Sequence, residues 1–177
     1  MSFEKLFKKI TLLFKQIRAP YMVVGGLAVA YWGYPRQSLD LDIVVDLKEP
    51  ELADFLKSAK KAGFSFHELE IRSLLKIGNR FVMEAEDYRV DCWLPKAEYH
   101  KSALARSKKR EVFGQKMPVI SPEDLILSKL LVGRARDLED IKTVIIKQKG
   151  KLDLAYLKKQ SLLLNIAGPL DEAINNA

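Results

Sequence analysis

The chain has 177 residues, 48% of them hydrophobic and 30% charged, with 30 Lys and Arg against 23 Asp and Glu, a formal net charge of +7 and an isoelectric point near 9.4. That length and apolar share allow one domain with a real core, and the positive balance favours polyanionic partners or simply a soluble basic surface. A single cysteine, Cys92, excludes an internal disulfide and a thiolate metal cluster and suits a reducing, cytoplasmic setting.

Phe3, Leu6, Phe7, Ile10, Leu13, Phe14 and Ile17 recur at helical spacing between lysines, which predicts an amphipathic helix ending near Pro20. It has no cleavage site and does not read as a signal peptide. The uncharged run between Arg18 and Arg36 is broken by Gly and Pro and too short for a bilayer, so no membrane association is expected. Tyr21 to Val24 reads as a buried strand. Gly25-Gly26 then lets the chain turn sharply into a short helix over Leu27 to Trp32. Glycine amides at a helix start can hold a phosphate, or can simply make a tight packing turn.

After Gly33-Tyr34-Pro35, the run Arg36-Gln37-Ser38-Leu39-Asp40-Leu41-Asp42-Ile43-Val44-Val45 reads as a strand. Alternation puts Asp40 and Asp42 on one face, with Leu39, Leu41, Ile43 and Val45 on the other. Adjacent carboxylates repel unless a cation lies between them, and magnesium is the hard cation such oxygens suit.

Pro50 opens a helix to about Lys61, Phe64 to Phe66 reads as a short strand, and a short helix is expected within His67 to Ile77. Arg80 to Ala85 and Tyr88 to Leu94 read as a hairpin turning at Glu86-Asp87. Arg89, Asp91 and Trp93 share one face of its second arm. A buried aspartate is costly unless paired or metal-bound, which makes Asp91 the third candidate carboxylate.

Lys96 to Ser107 reads as helical, and Arg106, Lys108, Lys109 and Arg110 form a basic cluster. Two short strands are expected at Val112-Phe113 and Met117 to Ile120. Ser121-Pro122-Glu123-Asp124 starts a helix that Gly133 breaks. Asp137 is expected to cap the next helix, Asp153 a third, and Pro169 to open a short last one. The fold class expected is α+β: a small mixed sheet with flanking helices, divided into a core over 1–120 and a helical part over 121–177 packed on it.

The ordered set Gly25-Gly26, a short helix, Arg36-x-Ser38-x-Asp40-x-Asp42 and a later strand with Val90-Asp91 resembles the nucleotidyltransferase superfamily with the polymerase-β-type fold. The likeness is to its small prokaryotic members, the minimal nucleotidyltransferases and abortive-infection-type toxin relatives, and covers about residues 20 to 140. Ser121 through Lys129 to Asp140 is similar to the helical part that follows the catalytic sheet in such proteins. The resemblance implies that Asp40, Asp42 and Asp91 hold two magnesium ions and catalyse transfer of a nucleoside monophosphate from an NTP to an acceptor hydroxyl. It also implies that Gly25 and Gly26 offer amides to the β/γ-phosphates. Many members carry a serine where this chain has Gly26, so that contact falls to the backbone or to Ser38.

Arg36 and Lys129 are further candidates for the triphosphate; the alternatives are a partner for Asp40 or Asp46 and an exposed helix position. Arg134, Arg136, Asp137 and Asp140 read as an ion-pair network joining helices. RNA or an acidic protein remain candidate partners besides the NTP, and oligomeric state is not legible. A binding module, such as one half of a toxin–antitoxin pair or an RNA-binding adaptor, is the competing reading.

Overall fold

The computed structural model describes residues 1–35, 40–95 and 98–177. Its centre is a six-stranded mixed sheet in the order β3-β4-β2-β1-β6-β5. The strands are β1 (Tyr21–Val23), β2 (Asp40–Val45), β3 (Arg80–Ala85), β4 (Tyr88–Trp93), β5 (Lys108–Val112) and β6 (Gln115–Val119). β1 and β2 are antiparallel, whereas β2 runs parallel to β4 and β1 parallel to β6.

Alternation fixes which face each strand buries. Leu41, Ile43 and Val45 of β2 join Phe81, Val90 and Cys92 in the apolar core. That face is covered by α1 (Phe3–Ile17) and α3 (Glu49–Lys61), with the Phe14 and Phe55 rings 5.9 Å apart and Phe55 edge-on to Phe81 at 5.7 Å. Ser2 caps α1 by accepting from the Lys5 amide, and the helix ends at Arg18 in the left-handed conformation just before Pro20.

The opposite sheet face carries the aspartates. It is walled by α5 (Glu98–Arg106) and α6 (Pro122–Val132), while α7 (Ala135–Lys147), α8 (Leu154–Leu163) and α9 (Ala167–Asn175) pack behind α6. α2 (Gly25–Trp32) contacts β2, α6 and α7, and its Trp32 indole donates to the Ile120 carbonyl at 2.7 Å. α6 is buried nearly all round, including its charged residues Glu123, Asp124 and Lys129. A helix in that position must find a partner for every charge it carries.

Several boundaries differ from the pattern reading. α2 begins at Gly25 itself, so the glycines form the first helical turn. The segment Phe64 to Phe66 contributes a single bridge, Ser65 to Glu84. The first strand of the second hairpin runs over Lys108–Val112, so Lys108, Lys109 and Arg110 of the basic cluster lie in a strand while Arg106 ends α5. The strand lies at the sheet edge, where lysine is tolerated and discourages further pairing. α7 is capped at Arg134, which places Asp137 inside its first turn. α4 (Glu68–Ile77) and the β3–β4 hairpin with its turn at Glu86 and Asp87 match the expectation.

Candidate active site

Strand pairing brings the acids together. In the parallel ladder Asp42 stands opposite Asp91, and Asp40 opposite Arg89. Residues two apart on a strand share a face, so Asp40, Asp42 and Asp91 all project from the open side of the sheet. Asp40 is exposed, Asp42 half-buried and Asp91 buried.

The Asp42 carboxyl is raised from its ordinary pKa, first by burial and then by the charges of Asp91 and Asp40; a hydrogen bond with the Trp93 side chain and the Arg80 charge oppose this. The site is therefore electrostatically short of positive charge at Asp42. Asp91 is differently placed. Arg80 donates to its Oδ1 from Nε at 2.9 Å and from Nη2 at 2.5 Å, and Arg89 approaches at 3.3 Å. Arg80 also lies over the Trp93 ring, 5.2 Å from its centre. Among the described residues, no three Asp, Glu, His or Cys side chains form a ready cation-binding group.

The glycine turn closes directly on Asp42. The Val24 amide donates to the Asp42 carbonyl at 3.0 Å. Gly25 has φ +63°, and a Cβ built there would overlap the Asp42 carboxylate, standing 2.6 Å from its Cγ. Both the backbone angle and the space demand glycine. The first turn of α2 therefore lies against the acidic pair.

The donor chemistry suits a divalent cation. Three carboxylates lie on one face, a close-packed glycine turn borders them, and Asp42 is raised first by burial and then by the neighbouring acids. Any such binding has to compete with Arg80 and Arg89 for Asp91.

A cleft of about 310 Å³ opens beside Asp42, between the sheet face and α5 and α6. Lys129 lines it, but is neither exposed nor free. Its Nζ is buried and donates to Asp137 Oδ1 at 2.9 Å and Asp140 Oδ2 at 2.7 Å. Arg134 donates to Asp137 at 2.8 Å. Burial alone would raise the Asp137 carboxyl, yet hydrogen bonds from Arg134 and Lys129 hold it below the ordinary range. Of the network expected among Arg134, Arg136, Asp137 and Asp140, Arg134, Asp137 and Asp140 take part, and the cation that joins them is Lys129 in place of Arg136. Arg36 and Ser38 lie outside the described residues.

Sequence reasoning missed three elements of the site. Arg80 pairs with Asp91; the hairpin register, which sets Arg80 opposite Trp93, was the available signal. His100 lines the cleft with a buried Nδ1 that has no hydrogen-bond partner. Asp124, read as a helix-start acid, is fully buried and bonded to Ser121, Arg106 and Tyr156 at 2.7, 3.1 and 2.6 Å. Arg106 is thereby withdrawn from the basic patch and stacks 3.6 Å from the Tyr156 ring centre. Cys92 is core, its thiol pushed up by burial, as expected of an inert cysteine. Trp32 is likewise core packing. No helix of the described residues is long and apolar enough to cross a membrane.

No curated protein matches the chain in sequence. Solved structures share its fold. A crystal structure of ANT(2'')-Ia in complex with adenylyl-2''-tobramycin superposes with a TM-score of 0.58 at 15% identity, covering 89% of this chain and 95% of the other. A solution structure of the antibiotic-resistance factor ANT(2'')-Ia gives 0.59 at 13% identity over 98% and 97%. The lincosamide antibiotic adenylyltransferase LnuA, lincomycin-bound, gives 0.54 at 18% identity over 81% and 96%. Residues 1–165 match the family model described as "Nucleotidyltransferase of unknown function (DUF6036)", and the chain belongs to that nucleotidyltransferase family.

Proposed function

We propose that the protein is a magnesium-dependent nucleotidyltransferase that moves a nucleoside monophosphate from an NTP to an acceptor hydroxyl. The observation that carries this reading is the in-register pair Asp42 and Asp91, with Gly25 packed against the Asp42 carboxylate. Asp40, Asp42 and Asp91 are the carboxylates that would hold the cations. Bound there, magnesium supplies charge neutralisation on the attacking and leaving oxygens of an in-line displacement.

The chain's own residues do the positioning. The glycine turn lies against Asp42 and would offer its amides to the β- and γ-phosphates. The acceptor oxygen bonds to the α-phosphorus as the bond to the α–β bridging oxygen breaks, pyrophosphate leaves, and Asp91 takes the hydroxyl proton. Arg80, which donates to Asp91, would leave it for a phosphate when substrate arrives. Lys129 would have to give up Asp137 or Asp140 to reach a phosphate, so a role for it there requires rearrangement of the α6–α7 junction. Arg36 and Ser38 remain proposed nucleotide contacts.

The test is label transfer from α-labelled NTPs, with magnesium, to cellular RNA, protein and small-molecule fractions. Asp42→Asn is expected to cut transfer by at least about 100-fold while the fold is retained. Undiminished transfer in that variant would remove Asp42 from the reaction. One observation favours a second reading, a binding module with little or no catalysis: Asp91 is already matched by two arginines. Calorimetry separates the two. Magnesium-dependent NTP binding supports the enzyme, and binding of RNA or a protein alone supports the module.

A further inference from the structure

The cleft beside Asp42 has a composition that selects among acceptors. Its floor is apolar, built from Met22 and Val44 of the sheet, Ala103 of α5, Ile120, and Leu125 of α6. Its uncharged polar lining groups include Asn79, His100 and Ser128. Asn79 donates its Nδ2 to the Leu94 carbonyl at 2.9 Å, and Ser128 donates its hydroxyl to the Leu125 carbonyl at 2.9 Å. Both therefore retain oxygen lone pairs as acceptors. His100 adds a ring nitrogen, Nδ1, that has no partner and is closed off from solvent, so a ligand hydroxyl reaches it only when the ring turns toward the cleft; burial lowers its pKa so that the imidazole is neutral near pH 7. The polar lining thus calls for a hydroxyl donor.

The charges here do not favour a nucleic-acid strand as the acceptor. Among the described lining residues the cations are Lys129 and Arg134, and both are held by Asp137, Lys129 also by Asp140. A nucleic-acid strand needs uncommitted cations along its path. The positive excess lies elsewhere, for example on the exposed Lys108 and Lys109 of edge strand β5. The volume, about 310 Å³, is at the small end for a ligand pocket.

We infer that the acceptor is a compact, uncharged, largely apolar alcohol, seated on Met22, Val44 and Leu125 with its hydroxyl hydrogen-bonded to His100. This rests on the nucleotidyl-transfer reading for what happens to that hydroxyl, but the binding itself does not.

Cyclohexanol and cyclohexane are suitable probes, followed by NMR at the Met22 methyl and the His100 Cε1–H. Cyclohexanol is expected to shift both signals saturably, and to bind about 3–10-fold more tightly than cyclohexane. His100→Phe should erase that preference while cyclohexane still shifts Met22. Filling the cleft with Ala103→Phe, or Ser128→Leu if the first fails to fold, should abolish both responses. Cyclohexanol leaving both signals unmoved overturns the inference. So does a short single-stranded RNA that shifts them and is displaced by cyclohexanol. Titrating the same samples with magnesium and a non-hydrolysable ATP analogue tests the transfer reading separately. Nucleotide binding without alcohol binding sinks the acceptor class alone, and alcohol binding without nucleotide binding sinks the transfer reading alone.

Discussion

Two charged regions of this protein use the same residue types to opposite ends. At the junction of α6 with its neighbours, every buried charge of the helix is answered. Lys129 meets Asp137 and Asp140, Asp124 meets Arg106, Ser121 and Tyr156, and Glu123 accepts from the Asp153 amide at 3.1 Å. On the sheet face, Asp91 is answered by two arginines, but Asp42 is pushed toward its neutral form by burial and by the acids beside it. The first arrangement is what a structural ionic cluster requires, since a buried charge without a partner is expensive. The second is electrostatically unfinished, as expected where a charged ligand completes the site.

The sharpest way to break this contrast is to remove a charge from each region and measure stability. Lys129→Met removes the buried cation that Asp137 and Asp140 share, and is expected to cost about 3–5 kcal/mol in chemical denaturation. A loss below about 1 kcal/mol would mean that the junction is not the structural element described. Asp42→Asn should act in the opposite direction. Removing a carboxylate whose ionised form is disfavoured should raise the melting temperature at neutral pH by about 2–4 °C, the shift for ~1 kcal/mol in a domain of this size. An unchanged or lower melting temperature would count against the strained site.

A smaller effect distinguishes the regions by pH. Asp42 is raised in the folded state, so its contribution to stability is present below the ordinary carboxylate range and is lost as pH rises through its own higher value. Asp137 is lowered, so its contribution is present above the ordinary range and is lost as pH falls through its own lower value. Denaturation midpoints measured across acidic pH should show a slope on the upper side that disappears in Asp42→Asn. The acid-side fall should survive in that variant. Loss of both together would show that the two regions are coupled.

The sequence made the sheet face legible because period-two alternation is local. Asp40 and Asp42 declare their shared face within three residues, and the Glu86-Asp87 turn sets the partner strand that carries Asp91. The nucleotidyltransferase likeness read from those residues agrees with the family that residues 1–165 match. The junction was harder to read because its meaning depends on distant residues. Nothing near Asp124 announces Tyr156, which is 32 positions away, and Lys129 looks like a surface lysine until α7 folds against it. Edge strand β5 was obscured for another reason: its lysines and arginine read as a basic cluster, which is also how an edge strand is composed. His100 gave no signal, since one unpartnered nitrogen is visible only once the cleft around it exists.

The burial of Cys92 has a practical consequence. It is the sole thiol in the chain, it sits in the core at 0% exposure, and its thiolate is strongly disfavoured. The native chain is therefore silent toward maleimides and similar reagents. A cysteine introduced at an exposed position such as Leu138 would be the one reactive handle, so a fluorophore or spin label could be attached there without first mutating anything away.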